Sequence, residues 1–153
     1  MADRDYCQRL IEAGLGEFFV SIHAPDAATD ARMTRADRPF EQMCAGVANI
    51  LDLGGKGILN SAVTPDNVDL LPDLARFLLG LGVDESQIWA FIEFGDIGQG
   101  DQHVDFDRVM PPLREALALF AERGHPVSLS WFPQCLLGED AGRMDNHRAF
   151  TLI

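Results

Sequence analysis

The chain has 153 residues, close to the common size of one domain and well short of the roughly 250 of a complete eight-unit (β/α) barrel. With 47% hydrophobic and 24% charged residues it has the balance of a globular protein with a sizeable core, which excludes a disordered chain. Twelve basic against 24 acidic residues give a net charge of −12, which repels phosphate and excludes a nucleic-acid or anionic-membrane surface.

The chain reads as a single domain, 1–153, opening with a helix over 5–13 that stops at Gly14. Four β-rich runs follow, at 17–24, 57–64, 87–94 and 126–132, each bounded by Gly, Pro or Asp. Helical periods lie between them. Phe40, Met43, Cys44, Val47 and Leu51 share one face; so do Leu70, Leu71, Leu74, Phe77, Leu78 and Leu81, and again Val109, Leu113, Ala116, Leu117 and Phe120. Gly54, Gly82 and Gly124 follow these periods where a left-handed residue is wanted, and Asp66 is placed to cap the second. The order αβαβαβαβ predicts an α/β fold of parallel strands joined by right-handed crossovers, flat or curved toward a barrel, with both sheet faces covered.

Polar residues inside such strands are informative. Ser21 and His23 share parity with Phe19, Asn60 and Thr64 with Ile58, Glu93 with Trp89 and Phe91, and Ser128 and Ser130 with Phe132. The first three sets gather toward strand C-terminal ends, where parallel α/β folds bind ligands, so one concave polar surface is expected. A single Ser or Asn more often bonds neighbouring backbone; recurrence in successive strands argues for a site. His23, followed by Ala24-Pro25-Asp26, leaves its strand exposed, although a lone histidine there more often reads as structural. Glu93, between Ile92 and Phe94, occupies a desolvated position suited to proton transfer or to a ligand hydroxyl, and equally to a packed structural glutamate.

The loop Gly95-Asp96-Ile97-Gly98-Gln99-Gly100 has G-x-x-G-x-G spacing, no helix after it and acidic neighbours, which disfavours a nucleotide cradle. Asp101, His103, Asp105 and Asp107 match no calcium-loop pattern and read better as a solvated acidic loop. Cys7, Cys44 and Cys135 contain no C-x-x-C pair, so no disulfide framework or local metal motif is written, and a reducing, cytoplasmic setting is expected. Cys135 falls at the same sheet edge as the polar surface, as a half-buried thiol or as a reactive or cluster-ligating one. No apolar run nears the roughly 20 residues of a membrane span, and the opening Met-Ala-Asp-Arg-Asp is not a signal peptide.

The segment Phe18-Phe19-Val20-Ser21-Ile22-His23-Ala24-Pro25-Asp26, then Arg32-Met33-Thr34-Arg35 and Pro39-Phe40-Glu41-Gln42, resembles the middle of a radical S-adenosylmethionine enzyme. The likeness continues through Ile58-Leu59-Asn60-Ser61-Ala62-Val63-Thr64-Pro65-Asp66-Asn67 and Phe132-Pro133-Gln134-Cys135-Leu136-Leu137. It implies a partial (β/α) barrel with about four parallel strands alternating with helices. It also implies the family's cofactors, S-adenosylmethionine and a [4Fe–4S] cluster, which together generate a 5′-deoxyadenosyl radical that abstracts a substrate hydrogen. Position by position, Ser21 and His23 would face the ribose or methionyl carboxylate, Arg35 or Arg32 would reach that carboxylate, Asn60 would be a polar contact, and Glu93 would lie near the adenine or substrate.

The resemblance begins at that family's third helix, so the cluster loop C-x-x-x-C-x-x-C and the first three strands are absent here. The chain is therefore expected to be the C-terminal portion of such a barrel, contributing to modification of a peptide or small metabolite and inactive alone. Its partners would be the missing N-terminal half, or other copies of itself, joined through unpaired edges at 17–24 and 126–132. Two other readings stand beside this one: a non-enzymatic α/β interaction module, and a metal-dependent lyase using Glu93, His23 and the aspartate loop.

Overall fold

Amphipathic helices and β-prone runs must bury their apolar sides against one another, and a single sheet is where these ones meet. The computed structural model describes residues 2–35, 39–91 and 102–145. In chain order its elements are α1 (Arg4–Glu12), β1 (Glu17–Ser21), α2 (Ala27–Thr34), α3 (Phe40–Asp52), β2 (Lys56–Val63), α4 (Leu71–Leu81), β3 (Glu85–Ala90), α5 (Phe106–Glu122), β4 (Val127–Ser130) and α6 (Gln134–Leu137). Short 3₁₀ turns at Val68–Leu70 and Gly138–Arg143 precede α4 and follow α6. The sheet is parallel throughout, in the order β1-β2-β3-β4, an α/β arrangement like part of a barrel.

Sequential order has a consequence for coverage. Each right-handed crossover steps one strand in the same direction, so every helix is delivered to the same face. On that face Leu59, Val63, Ile88 and Leu129 pack with Val47 of α3, Leu74 and Leu78 of α4, and Leu113, Leu117 and Phe120 of α5. The expectation that both faces are covered is corrected among the described residues: helices cover one, and no described helix covers the other, where Phe19 is 50% exposed. Two faces are covered only when the strand order reverses, as in doubly wound sheets.

A smaller cluster of Cys7, Phe18 and Ile50 seats α1 beneath β1. Gly55 touches it closely, since a Cβ there would lie 2.8 Å from Phe18 Cε2 and 3.2 Å from the Ile50 carbonyl oxygen. Gly55→Ala is expected to cost about 1–3 kcal/mol through overpacking, read as a lower urea midpoint with unchanged slope.

His125, just before β4, stacks on Phe120 at 5.2 Å and its Nε2 lies 2.9 Å from Ser86 Oγ. Burial pushes its pKa below histidine's ordinary value, against the opposing pull of Asp84 and Glu85. The folded state therefore binds the proton less readily than the unfolded chain. Stability from this site is full above about pH 6.5 and is lost as pH falls from there through the lower folded value. In urea titrations across that window, His125→Gln is expected to flatten the dependence.

Further expectations change at the element ends. The strands are shorter than the β-rich runs, β1 stopping at Ser21 and β3 at Ala90, while 92–94 lie outside the described residues. Asp66 does not cap α4; a 3₁₀ turn intervenes, Leu70 is the cap residue, and Pro72 sits in the first turn where a missing N–H costs no helical bond. Gly54, Gly82 and Gly124 do take positive φ, at 79°, 73° and 61°. At the far edge, Met144 bridges to Leu129 in parallel and Asp145 N–H donates to the Leu129 carbonyl at 2.8 Å. The predicted open edge at 126–132 is thus partly closed by the chain itself, whereas β1 has β2 as its one neighbour among the described residues.

Candidate functional site

Residues paired in register on parallel strands share a face, and the open face is built from every second position. Phe19 pairs with Ile58 and Ile58 with Glu85; Ser21 pairs with Asn60, Asn60 with Gln87, and Gln87 with Ser128; Ala62 pairs with Trp89, and Trp89 with Ser130. The sequence parity is realised for Ser21 and Asn60, which are direct neighbours. Ser130 is engaged elsewhere, its hydroxyl donating to the Asp145 carbonyl at 3.0 Å.

From Glu17, Lys56 and Glu85 at the N-terminal end of this face to Trp89 near the end of β3, polar groups answer one another. Lys56 Nζ lies 3.0 Å from Glu17 Oε1 and 3.7 Å from Glu85 Oε2. Gln87 Nε2 donates to Glu85 Oε1 at 3.4 Å, and Trp89 Nε1 donates to Gln87 Oε1 at 3.2 Å. Two groups of β2 differ, Asn60 at mid-strand and Thr64 just past its end. Asn60 and Thr64 are 4% and 6% exposed, and neither Asn60 Nδ2 nor Thr64 Oγ1 has a hydrogen-bond partner among the described residues. An unpaired buried polar group costs about 1–3 kcal/mol, so this part of the face is suited to a ligand that supplies the missing bonds.

His23 is half-buried and bound to β2. Ala62 N–H donates to its Nδ1 at 3.1 Å, which makes that nitrogen an acceptor and places the proton of the neutral ring on Nε2. Its carbonyl accepts from Asn67 Nδ2 at 2.7 Å. Asn67, fully buried, also donates to the Ala62 carbonyl at 2.8 Å and accepts the Thr64 N–H at 2.8 Å. One amide thereby ties the exits of β1 and β2 together at the open end of the face.

Beyond His23, Asp26 caps α2 by accepting the Thr29 N–H and hydroxyl, both at 2.9 Å, and these bonds hold its carboxyl below the usual carboxylate value. Arg32 Nη2 donates to Thr29 Oγ1 at 3.1 Å. Arg35 is exposed at the left-handed C-cap of α2, at φ 49°, and no described contact joins it to Ser21 or Asn60. Glu93 and the glycine loop lie outside the described residues. Within the acidic stretch, Asp105 is the N-cap residue of α5 and His103 meets Phe106 edge-on at 6.4 Å.

The three cysteines form no disulfide and stand on three different helices: Cys7 buried in α1, Cys44 half-buried in α3, Cys135 exposed in α6. Burial, then the charge of Glu41, pushes the Cys44 thiol up. No group of three His, Cys, Asp or Glu suited to a metal forms among the described residues. The described residues thus offer no ligand set for an iron–sulfur cluster.

No family model matches the chain. It is 26% identical over 91 residues to an AdoMet-dependent heme synthase of Nitratidesulfovibrio vulgaris, a match covering 60% of this chain and 25% of that protein. The chain is similar to the radical S-adenosylmethionine enzymes. Its fold is also that of part of Streptococcus suis SuiB, with a TM-score of 0.62 at 10% identity over 81% of this chain and 28% of the other. It spans about a quarter of the length of the curated relative it matches. In the frame of a radical S-adenosylmethionine barrel, the open face corresponds to inner wall and the helical face to outer ring. Sequence reading used Trp89 and Phe91 only as parity marks and did not single out Gln87 or Asn67. The pattern Thr64-Pro65-Asp66-Asn67, a turn-forming run at a strand exit, was the available signal for Asn67.

No helix among the described residues is long and apolar enough to cross a membrane.

Proposed function

We propose that this chain forms the later wall of a radical S-adenosylmethionine barrel, whose C-terminal edge contacts S-adenosylmethionine and the peptide or small-metabolite substrate. The observation that carries the reading is the contrast across the open face. Glu85, Gln87 and Trp89 of β3 are bonded in a chain, while on neighbouring β2 Asn60 Nδ2, level with Gln87, and Thr64 Oγ1, just past the strand's C-terminal end, are buried without partners among the described residues. Ser21, exposed beside Asn60, adds a hydroxyl to the same surface. His23 would position the Ala62 backbone and present Nε2–H, and Arg35 would have to approach from the end of α2 to reach a carboxylate.

When bound, a [4Fe–4S] cluster supplies the electron that cleaves S-adenosylmethionine. Its ligands would come from outside this sequence, which makes a cluster-bearing polypeptide the expected partner, joined along the free edge of β1. The test is anaerobic reconstitution of this chain with the cluster-bearing strands of the related heme synthase, followed by assay of 5′-deoxyadenosine. Product at levels well above those of either piece alone, reduced about tenfold by Asn60→Leu, is the expected result. No increase over the cluster-bearing piece, with the cluster loaded, would overturn the proposal.

A further inference from the structure

Phe19 and Trp89 meet on the open face with ring centroids 5.9 Å apart and planes tilted by 37°. One ring comes from β1 and the other from β3, so their contact spans β2. Phe19 is level with Ile58 and Trp89 with Ala62; the diagonal between them crosses β2 at its midpoint, Asn60. Asn60 is 4% exposed on a face that carries no helix among the described residues, while Phe19 on the same face is 50% exposed. The ring contact thus lies along the diagonal that passes Asn60, whose Nδ2 has no partner among the described residues.

The two rings are not held alike. Trp89 is fixed through Nε1 to Gln87, and Gln87 in turn to Glu85. Phe19 has no polar anchor and stands on an edge strand. We infer that Phe19 and Trp89 form an aromatic gate over Asn60 that admits a flat, unsaturated ligand group bearing a hydrogen-bond acceptor. Phe19 swings, the group stacks against Trp89, and Asn60 Nδ2 donates to the acceptor. A planar group needs about 3.5 Å on each side, so rings 5.9 Å apart must part for it to enter. A saturated group gains less from the rings, and one without an acceptor leaves the amide orphaned.

This inference rests on the open face being the ligand surface, and the flat group could belong either to the adenine of S-adenosylmethionine or to a substrate. The experiment separates these. The chain has two tryptophans, so in full-length Trp131→Phe protein the fluorescence comes from Trp89 alone. Titration uses adenosine, benzamide, cyclohexanecarboxamide and S-adenosylmethionine. Saturable quenching by adenosine or benzamide is expected, with cyclohexanecarboxamide at least tenfold weaker and Asn60→Leu weakening the flat probes about tenfold. Quenching by adenosine that S-adenosylmethionine displaces supports the gate and assigns it to the cofactor; quenching by benzamide that S-adenosylmethionine leaves intact supports it and assigns it to substrate. Should Trp131→Phe not fold, the ¹⁵N side-chain amide resonance of Asn60 in the unsubstituted protein, identified by its loss in Asn60→Leu, reports the same contact. Flat probes that shift neither signal, or that bind Asn60→Leu equally well, overturn the gate. S-adenosylmethionine binding seen by calorimetry, with no Trp89 response to any of the flat probes, overturns the gate and leaves the proposed function standing.

Discussion

Asn67→Ala is expected to lower stability by about 3 kcal/mol or more. The substitution strips partners from the His23 carbonyl, the Ala62 carbonyl and the Thr64 N–H at once, in a site with no exposure to solvent. Each orphaned group costs about 1–3 kcal/mol, and a domain of this size holds only about 5–15 kcal/mol in all. Asn67→Asp should do no better, because a carboxylate oxygen would then face two carbonyl oxygens. Equilibrium urea unfolding followed by circular dichroism measures both. A loss below about 1 kcal/mol would show that water or backbone adjustment replaces the amide, and that the exits of β1 and β2 are tied by something else.

Asn60→Leu is expected to act in the opposite sense, raising stability by about 1–3 kcal/mol while weakening ligand binding. Leucine has a similar volume, keeps contact with the surrounding rings and removes a buried donor that lacks a partner. For a chain of about this length, that gain corresponds to roughly 2–12 °C in melting temperature, measurable by calorimetry. Ordinary polar-to-apolar changes at bonded core positions do not stabilise, so the sign of the effect separates a residue kept for a ligand from one kept for the fold. A lower melting temperature for Asn60→Leu would mean that the amide is bonded in solution and that the open face is structurally self-sufficient there.

The parts of this fold that were legible in the sequence are those written in local periodicity. Phe18 against Phe19, and Leu59 against Asn60, gave the two sheet faces by alternation, and the leucines of α4 gave a buried stripe at helical spacing. Helix α2 left no such signal, because Ala27–Thr34 buries Thr29 and Asp30 rather than an apolar row. Asn67 could not be recognised as a clamp from its neighbours alone, since two of its three bonds reach back to the strand exits at His23 and Ala62. The diagonal meeting of Phe19 and Trp89 likewise depends on strand register, which alternation does not specify. Alternation placed Ser21 and Asn60 on one face, but it carried no information on which polar groups of that face would find partners.

The seal at the edge of β4 governs how copies of this chain can associate. A head-to-tail array, with β1 of one molecule added to β4 of the next, would need the outward side of Leu129, where Met144 is already bridged and the carbonyl already accepts the Asp145 N–H. Among the described residues β1 is the less covered edge, and two copies of it would meet about a twofold axis, with the two β1 strands antiparallel. Growth of that kind terminates at two molecules. A strand from a different polypeptide, by contrast, can lie parallel to β1 and continue the winding, so the edge is permissive for a foreign neighbour and self-limiting toward its own kind.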